Sequence, residues 1–135
     1  MNRTIHIAAA LLIGPDGKTL LVRKRDTLAF MQPGGKIEPG EQPVHALARE
    51  LDEELGVRID TAQAQYLGAF SAPAANEPGF EVRCELFRVD VAGPVTIAAE
   101  IEEAVWVDGD SHAQLELAPL TRDHILPLYA ASAPR

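Results

Sequence analysis

This chain has little with which to staple itself, cross a bilayer or grip a polyanion. One cysteine, Cys84, in 135 residues cannot close an intrachain disulfide. Its alternating neighbours Glu81, Val82, Arg83, Glu85, Leu86 and Phe87 read as a strand in which it packs as a small hydrophobe. No charged start followed by an apolar stretch and a small-residue cleavage site opens the sequence, and no apolar run approaches the roughly 20 residues of a membrane span. A reducing, cytoplasmic setting is the expectation. Cations are scarce too: 12 Lys and Arg face 20 Asp and Glu, for a formal charge of -8. That balance repels the backbone of a nucleic-acid polymer unless the basic residues are segregated. It suits a small phosphorylated ligand held to an acidic protein through a metal ion.

No internal repeat and no low-complexity linker divides the chain, and 47% hydrophobic residues suffice for one core, so residues 1–135 are expected to form a single domain. Ile5 to Ile13 is apolar but for His6, Gly14-Pro15-Asp16-Gly17 is turn chemistry, and Leu20 to Val22 is apolar again, which predicts a β-hairpin. Further strands are expected over residues 64–70, 80–91 and 104–107, with a polar loop over 71–79. Val44, Leu47, Leu51 and Leu55 repeat at three- and four-residue steps and predict a helix over 43–55 that Gly56 ends. A last helix is expected after Thr121, a good N-cap, carrying Ile125, Leu128 and Tyr129, with Pro127 as a discordant note. The fold class is α/β, with a mixed sheet between helices.

The most informative stretch is GKIEPGEQPVHALARELDEELGV, residues 35–57. On its helix Glu50, Glu53 and Glu54 fall at i, i+3 and i+4, and at about 100° per residue they share one sector beside the apolar stripe. Three crowded carboxylates repel one another, and partial burial worsens the repulsion. A hard divalent cation with oxygen ligands is the natural compensation, completed by water and substrate phosphates.

These residues resemble the Nudix box, whose pattern is glycine, five residues, glutamate, seven residues, then Arg-Glu-apolar-x-Glu-Glu-x-Gly-apolar. Gly35, Glu41, Arg49, Glu50, Leu51, Glu53, Glu54, Gly56 and Val57 fill its nine fixed positions. The resemblance extends over essentially the whole chain, through the leading strand, the hairpin, Pro33-Gly34-Gly35 and a late acidic segment ending in Trp106. It implies a Nudix-type α/β/α sandwich and a Mg2+-dependent hydrolase, with Mn2+ as a substitute, that cuts a diphosphate linkage.

The resemblance also implies roles. Glu54 and Glu53 would be principal metal ligands, Glu50 a further ligand or the group that positions water, and the Gly34 carbonyl another ligand. Arg49, with Glu41 assisting, would orient the carboxylates. A general base in this family often comes from a later loop, here Glu100-Ile101-Glu102-Glu103. Spacing to Trp106 favours Glu100, with Glu103 the alternative.

Arg23 and Arg25 share a face if the strand continues at period two, and the resemblance puts a basic residue of this region, Arg23 foremost, on substrate phosphates. Lys24 is expected to solvate the strand end. Lys36 would meet phosphate or pair with a box glutamate, and Gln32 would reach a base edge or serve the turn. His45 and His124 read as surface residues, and Trp106 as core.

A chain this short resembles the members that cleave nucleoside triphosphates, including oxidised dNTPs, to nucleoside monophosphate and pyrophosphate. Cleavage of ADP-ribose or another nucleoside diphosphate sugar is the alternative, and a nucleotide-sensing domain without turnover is the non-enzymatic one. The expected partner is a small nucleotide, and neither a membrane nor a nucleic-acid polymer. Any self-association is expected to be a symmetric homodimer, the commonest assembly.

Overall fold

The computed structural model describes residues 3–132 except 99, 110, 111 and 113. Its strands are β1 (Thr4–Ile13), β2 (Thr19–Lys24), β3 (Gly34–Lys36), β4 (Gln65–Pro73), β5 (Glu81–Asp90) and β6 (Ile101–Val107). Helix α1 spans Pro43–Leu55, and a π-helical turn, Thr121–Ile125, runs into α2, Leu126–Ser132. The strands make one mixed sheet in the order β4-β5-β1-β2-β6, with β3 also on β1. β1 runs parallel to β5 and antiparallel to β2 and β3.

β1 reads as a continuous apolar run because both its faces are covered. Ala8, Ala10 and Leu12 meet Leu47, Leu51 and Leu55 of α1. Ala9, Leu11 and Ile13 meet Ile125, Leu126 and Tyr129 at the other helix. The sheet is therefore sandwiched between the two helices, as expected. Among the described residues no helix is long and apolar enough to cross a membrane.

The site is set up by a split in this sheet. The hairpin closes at Ile13 opposite Thr19, and β2 then leaves β1 to pair with β6. Residues 31–36 wedge into the gap: Met31 exchanges two backbone hydrogen bonds with Val22, while the Pro33 carbonyl accepts from Ala10 and β3 pairs with residues 7–9 of β1. The chain thus crosses from β2 to β1 within three residues. At Gly34 φ is +149°, and a Cβ there would overlap the Ala8 carbonyl.

α1 begins at Pro43, whose missing N–H costs nothing in the first turn. It ends where Gly56 takes φ 64° and donates to the Asp52 carbonyl. The last helix departs from expectation. The backbone is already helical at Leu120 (φ -59°, ψ -45°), so Thr121 lies inside and does not cap; its hydroxyl proton goes to Gln32 instead. Leu126 N–H reaches back five residues to the Thr121 carbonyl. That widened turn lies immediately before Pro127, whose ring would clash with an ordinary α-helical turn.

Candidate active site

Glu54 is the centre of the site. It falls on the core stripe of α1, is 3% exposed, and points at the turn that opens β3. One oxygen accepts from the Gly34 N–H at 3.1 Å. The other, Oε2, is buried without a hydrogen bond, and its nearest cation is Lys24 Nζ at 3.6 Å. Burial pushes this carboxyl up to about 7, against the pull of Lys24 and the Gly34 N–H.

Glu50, one turn earlier, faces the same strand. A Cβ on Gly35 would occupy the space of the Glu50 carboxylate, so the glycine is what lets that carboxylate reach the β3 backbone. Its pKa is raised too, chiefly by burial, with Arg49 opposing. Glu53 is the outlier of the three, with a side chain 61% exposed and 3.8 Å from Arg49. The shared sector expected for the three acids is thus graded, with Glu54 buried, Glu50 at the rim and Glu53 toward solvent.

Arg49 holds this arrangement. Its guanidinium grips Glu41 with two bonds of 2.9 Å, donates to Glu50 at 3.2 Å and to the Lys36 carbonyl at 3.1 Å. The paired bonds hold the Glu41 carboxyl down at about 2 and raise the guanidinium still further. One side chain therefore ties α1 to the loop before it and to the end of β3, which fixes the Glu50 rotamer.

The basic cluster keeps period two, but it is Lys24, not Arg23 and Arg25, that faces the carboxylates. Pairing of β2 with β6 is irregular between Arg23 and Lys24, but the extra residue, Glu102, belongs to β6, so β2 keeps its alternation: Lys24 follows Leu20 and Val22 onto the α1 side, and Arg23 and Arg25 share the other. Arg23 turns to Glu103, at 2.7 and 3.0 Å, and to the Thr27 carbonyl, and Arg25 lies 3.7 Å from Glu102. Of the three cations Lys24 is the one brought to Glu54, and it lines the adjoining pocket. Glu103, occupied with Arg23, is drawn away from the carboxylates. Glu100 is exposed, in a segment docked onto the end of α1 by an Ala98 N–H to Glu54 carbonyl bond.

Beside Gly34 opens a pocket of about 210 Å³ whose lining includes Lys24, Met31, Gln32, Lys36, Leu120 and Thr121. Gln32 and Thr121 sit there almost fully buried. The sequence marks Thr121 as a cap and cannot show otherwise, since its partner lies 89 residues away. A larger cavity at the far end of α1, bordered by Arg58, Asp60 and Asp90, lies away from these groups.

Among the described residues no three acid, imidazole or thiol side chains already converge as a metal cage. The donors fit a hard cation nonetheless. A buried carboxylate oxygen without a hydrogen bond, with a second carboxylate facing the same strand, is the partial oxygen set that water, a backbone carbonyl and substrate phosphates complete around Mg2+.

The model of the NUDIX domain matches residues 3–129. The chain belongs to the NUDIX family. Its similarity to individual NUDIX and other proteins is more distant. It is 37% identical over 114 residues to an octanoyltransferase of Myxococcus xanthus, over 78% of this chain but only 30% of that protein. It is 31% identical over 121 residues to the CTP pyrophosphohydrolase of Escherichia coli K12, covering 87% of this chain and 85% of that protein. The crystal structure of a MutT protein from Methanosarcina mazei Go1 superposes with a TM-score of 0.78 at 22% identity, over 96% and 95% of the two chains. NUDIX proteins in general use divalent metal ions, in keeping with the oxygen donors around Glu54.

Proposed function

We propose that the chain is a Mg2+-dependent pyrophosphohydrolase that splits a nucleoside triphosphate with water into a nucleoside monophosphate and pyrophosphate. The observation that carries this reading is the buried Glu54 carboxylate, with one oxygen on the Gly34 N–H and the other without a hydrogen bond, next to a pocket with room for a base that Gly34 and Lys24 line. The match along 85% of a CTP pyrophosphohydrolase supports the triphosphate as substrate. Octanoyl transfer has no comparable support: the match spans under a third of that protein, and the chain's one cysteine is buried.

In this reading Glu54, Glu50, Glu53 and the Gly34 carbonyl would hold the metal, with Mn2+ as a substitute. Bound there, a divalent cation acidifies water and neutralises phosphate oxygens. The chain supplies the rest. Gly34 and Gly35 let the substrate's phosphates approach the backbone, and Lys24 and Lys36 offer them positive charge at the pocket mouth. Arg49 orients Glu50. Gln32, inside the pocket, meets the base. Glu100 supplies the loop carboxylate that takes the proton of the attacking water, its rival Glu103 being held by Arg23. Glu100→Gln should then lower kcat by about 100-fold or more with little change in KM, and a near-normal rate would pass that role to Glu50.

The decisive experiment is product analysis on nucleoside triphosphates, oxidised dNTPs and ADP-ribose, with Mg2+ and with EDTA. Metal-dependent pyrophosphate from triphosphates is expected. AMP and ribose phosphate from ADP-ribose alone would replace the substrate class, and no turnover would leave a nucleotide sensor.

A further inference from the structure

The pocket beside Glu54 is also lined by a buried polar pair, Gln32 and Thr121, at the point where the chain crosses from β2 to β1. Gln32 is 6% exposed and Thr121 1%. The Thr121 hydroxyl donates to Gln32 Oε1 at 2.8 Å. The Thr121 hydroxyl gives its single proton to the amide oxygen, which turns Nε2 to the other side. The other end, Nε2, is buried without a hydrogen-bond partner. An amide donor left bare in this way is costly unless a ligand meets it. Around it the lining is mostly apolar, including Ile5, Ile7, Ala9, Val82 and Leu120.

We propose that Gln32, held by Thr121, is the base-selecting residue, and that it selects bases presenting adjacent hydrogen-bond acceptors. The inference rests on the pyrophosphohydrolase reading for the identity of the ligand as a nucleotide, but its chemistry is that of the pocket alone. Two amide protons on one nitrogen match the ring-nitrogen and carbonyl pair of cytosine (N3 and O2) or guanine (N7 and O6). Adenine sets an amino donor beside N7. In 8-oxoguanine N7 itself carries a proton. Either one turns a donor toward the Gln32 donor, and a buried polar group facing its like rejects the wrong ligand strongly. The pocket should therefore prefer dCTP and dGTP to dATP and to 8-oxo-dGTP.

The test is kcat and KM for these four triphosphates in the wild type, Gln32→Met, Thr121→Val and Thr121→Ser, alongside calorimetric titration of CMP and AMP. Wild type should favour dCTP over dATP by about tenfold or more in kcat/KM, mostly through KM. Gln32→Met, similar in volume but without the donor, should bring the two within about threefold. Thr121→Val, which releases the amide, should erode the ratio, and Thr121→Ser should restore it. A side chain that only packs would move all four substrates together. Equal kcat/KM for the four in wild type, or an unchanged ranking in Gln32→Met, would overturn the assignment. If no triphosphate is cleaved, the hydrolase reading falls, and titration decides this one separately: CMP bound more tightly than AMP, with the difference lost in Gln32→Met, sustains it, and equal binding ends it.

Discussion

At the residue scale Glu54 does two opposed things. Its burial raises its pKa to about 7, while an unfolded chain titrates it near 4.5. Between those values the folded state keeps a proton that the unfolded state gives up, so in metal-free protein the contribution of Glu54 to stability falls as pH rises through that window. The loss levels off above pH 7, at up to about 3 kcal/mol. Glu54→Gln should remove this decline and make the metal-free protein more stable than wild type at pH 8, while lowering kcat by about 100-fold or more. Urea midpoints at pH 5 and pH 8 in EDTA check the first half; a wild type no weaker at pH 8 would mean the carboxyl is not so buried. The grouping of Glu50, Glu54, Arg49 and Glu41 was legible because they stand close together in one motif. Lys24 was not, because period two shows which residues share a face but not which face meets α1, and only the folded sheet sets Lys24 beside Glu54. Nor was the Gln32–Thr121 pair, which only the folded sheet brings together.

At the element scale the two glycines of β3 have different tasks, and substitution should separate them. A methyl at Gly34 meets the Ala8 backbone and demands a φ that L residues avoid. Neither can yield without parting β3 from β1, so Gly34→Ala should destabilise the fold by roughly 2–4 kcal/mol. A methyl at Gly35 meets first the end of the Glu50 side chain, which can swing aside. Gly35→Ala should keep stability within about 1 kcal/mol and lower kcat by about tenfold or more, because Glu50 loses its place. Urea unfolding beside kinetics distinguishes them; equal destabilisation by both would remove the special role of Gly35. β1, α1 and β5 were legible from period and length. β3 was not: three residues cannot display a period, and Pro33-Gly34-Gly35 carries the composition of a turn. The π-helical turn escaped for a related reason, since Pro127 signals that the helix is disturbed but not that it widens and continues.

At the scale of the whole molecule the sheet links the candidate metal site to a built-in reporter. Cys84 lies in β5 between β1 and β4, opposite Ile7 on one side and Phe70 on the other. It is fully buried, and burial, with Glu85 nearby, pushes its thiol up to about 12, so a thiol reagent finds neither access nor thiolate at neutral pH. Labelling must await opening of the central sheet. The same opening releases β3 from the other edge of β1 and with it the contact between Gly34 and Glu54. A cation held by Glu54 in the native state alone should therefore slow labelling. At a metal concentration 100 times Kd the stabilisation is about 2.7 kcal/mol, which is about a 100-fold drop in rate when reclosing outpaces reaction. Because a chain of charge -8 also gains from screening, the comparison belongs at constant ionic strength. Slowing in wild type and none in Glu54→Gln would tie the metal to this carboxylate. Equal slowing in both would place the metal elsewhere, and no slowing in either would mean that Cys84 is reached by a local parting of β4 and β5 that leaves the Gly34–Glu54 contact intact.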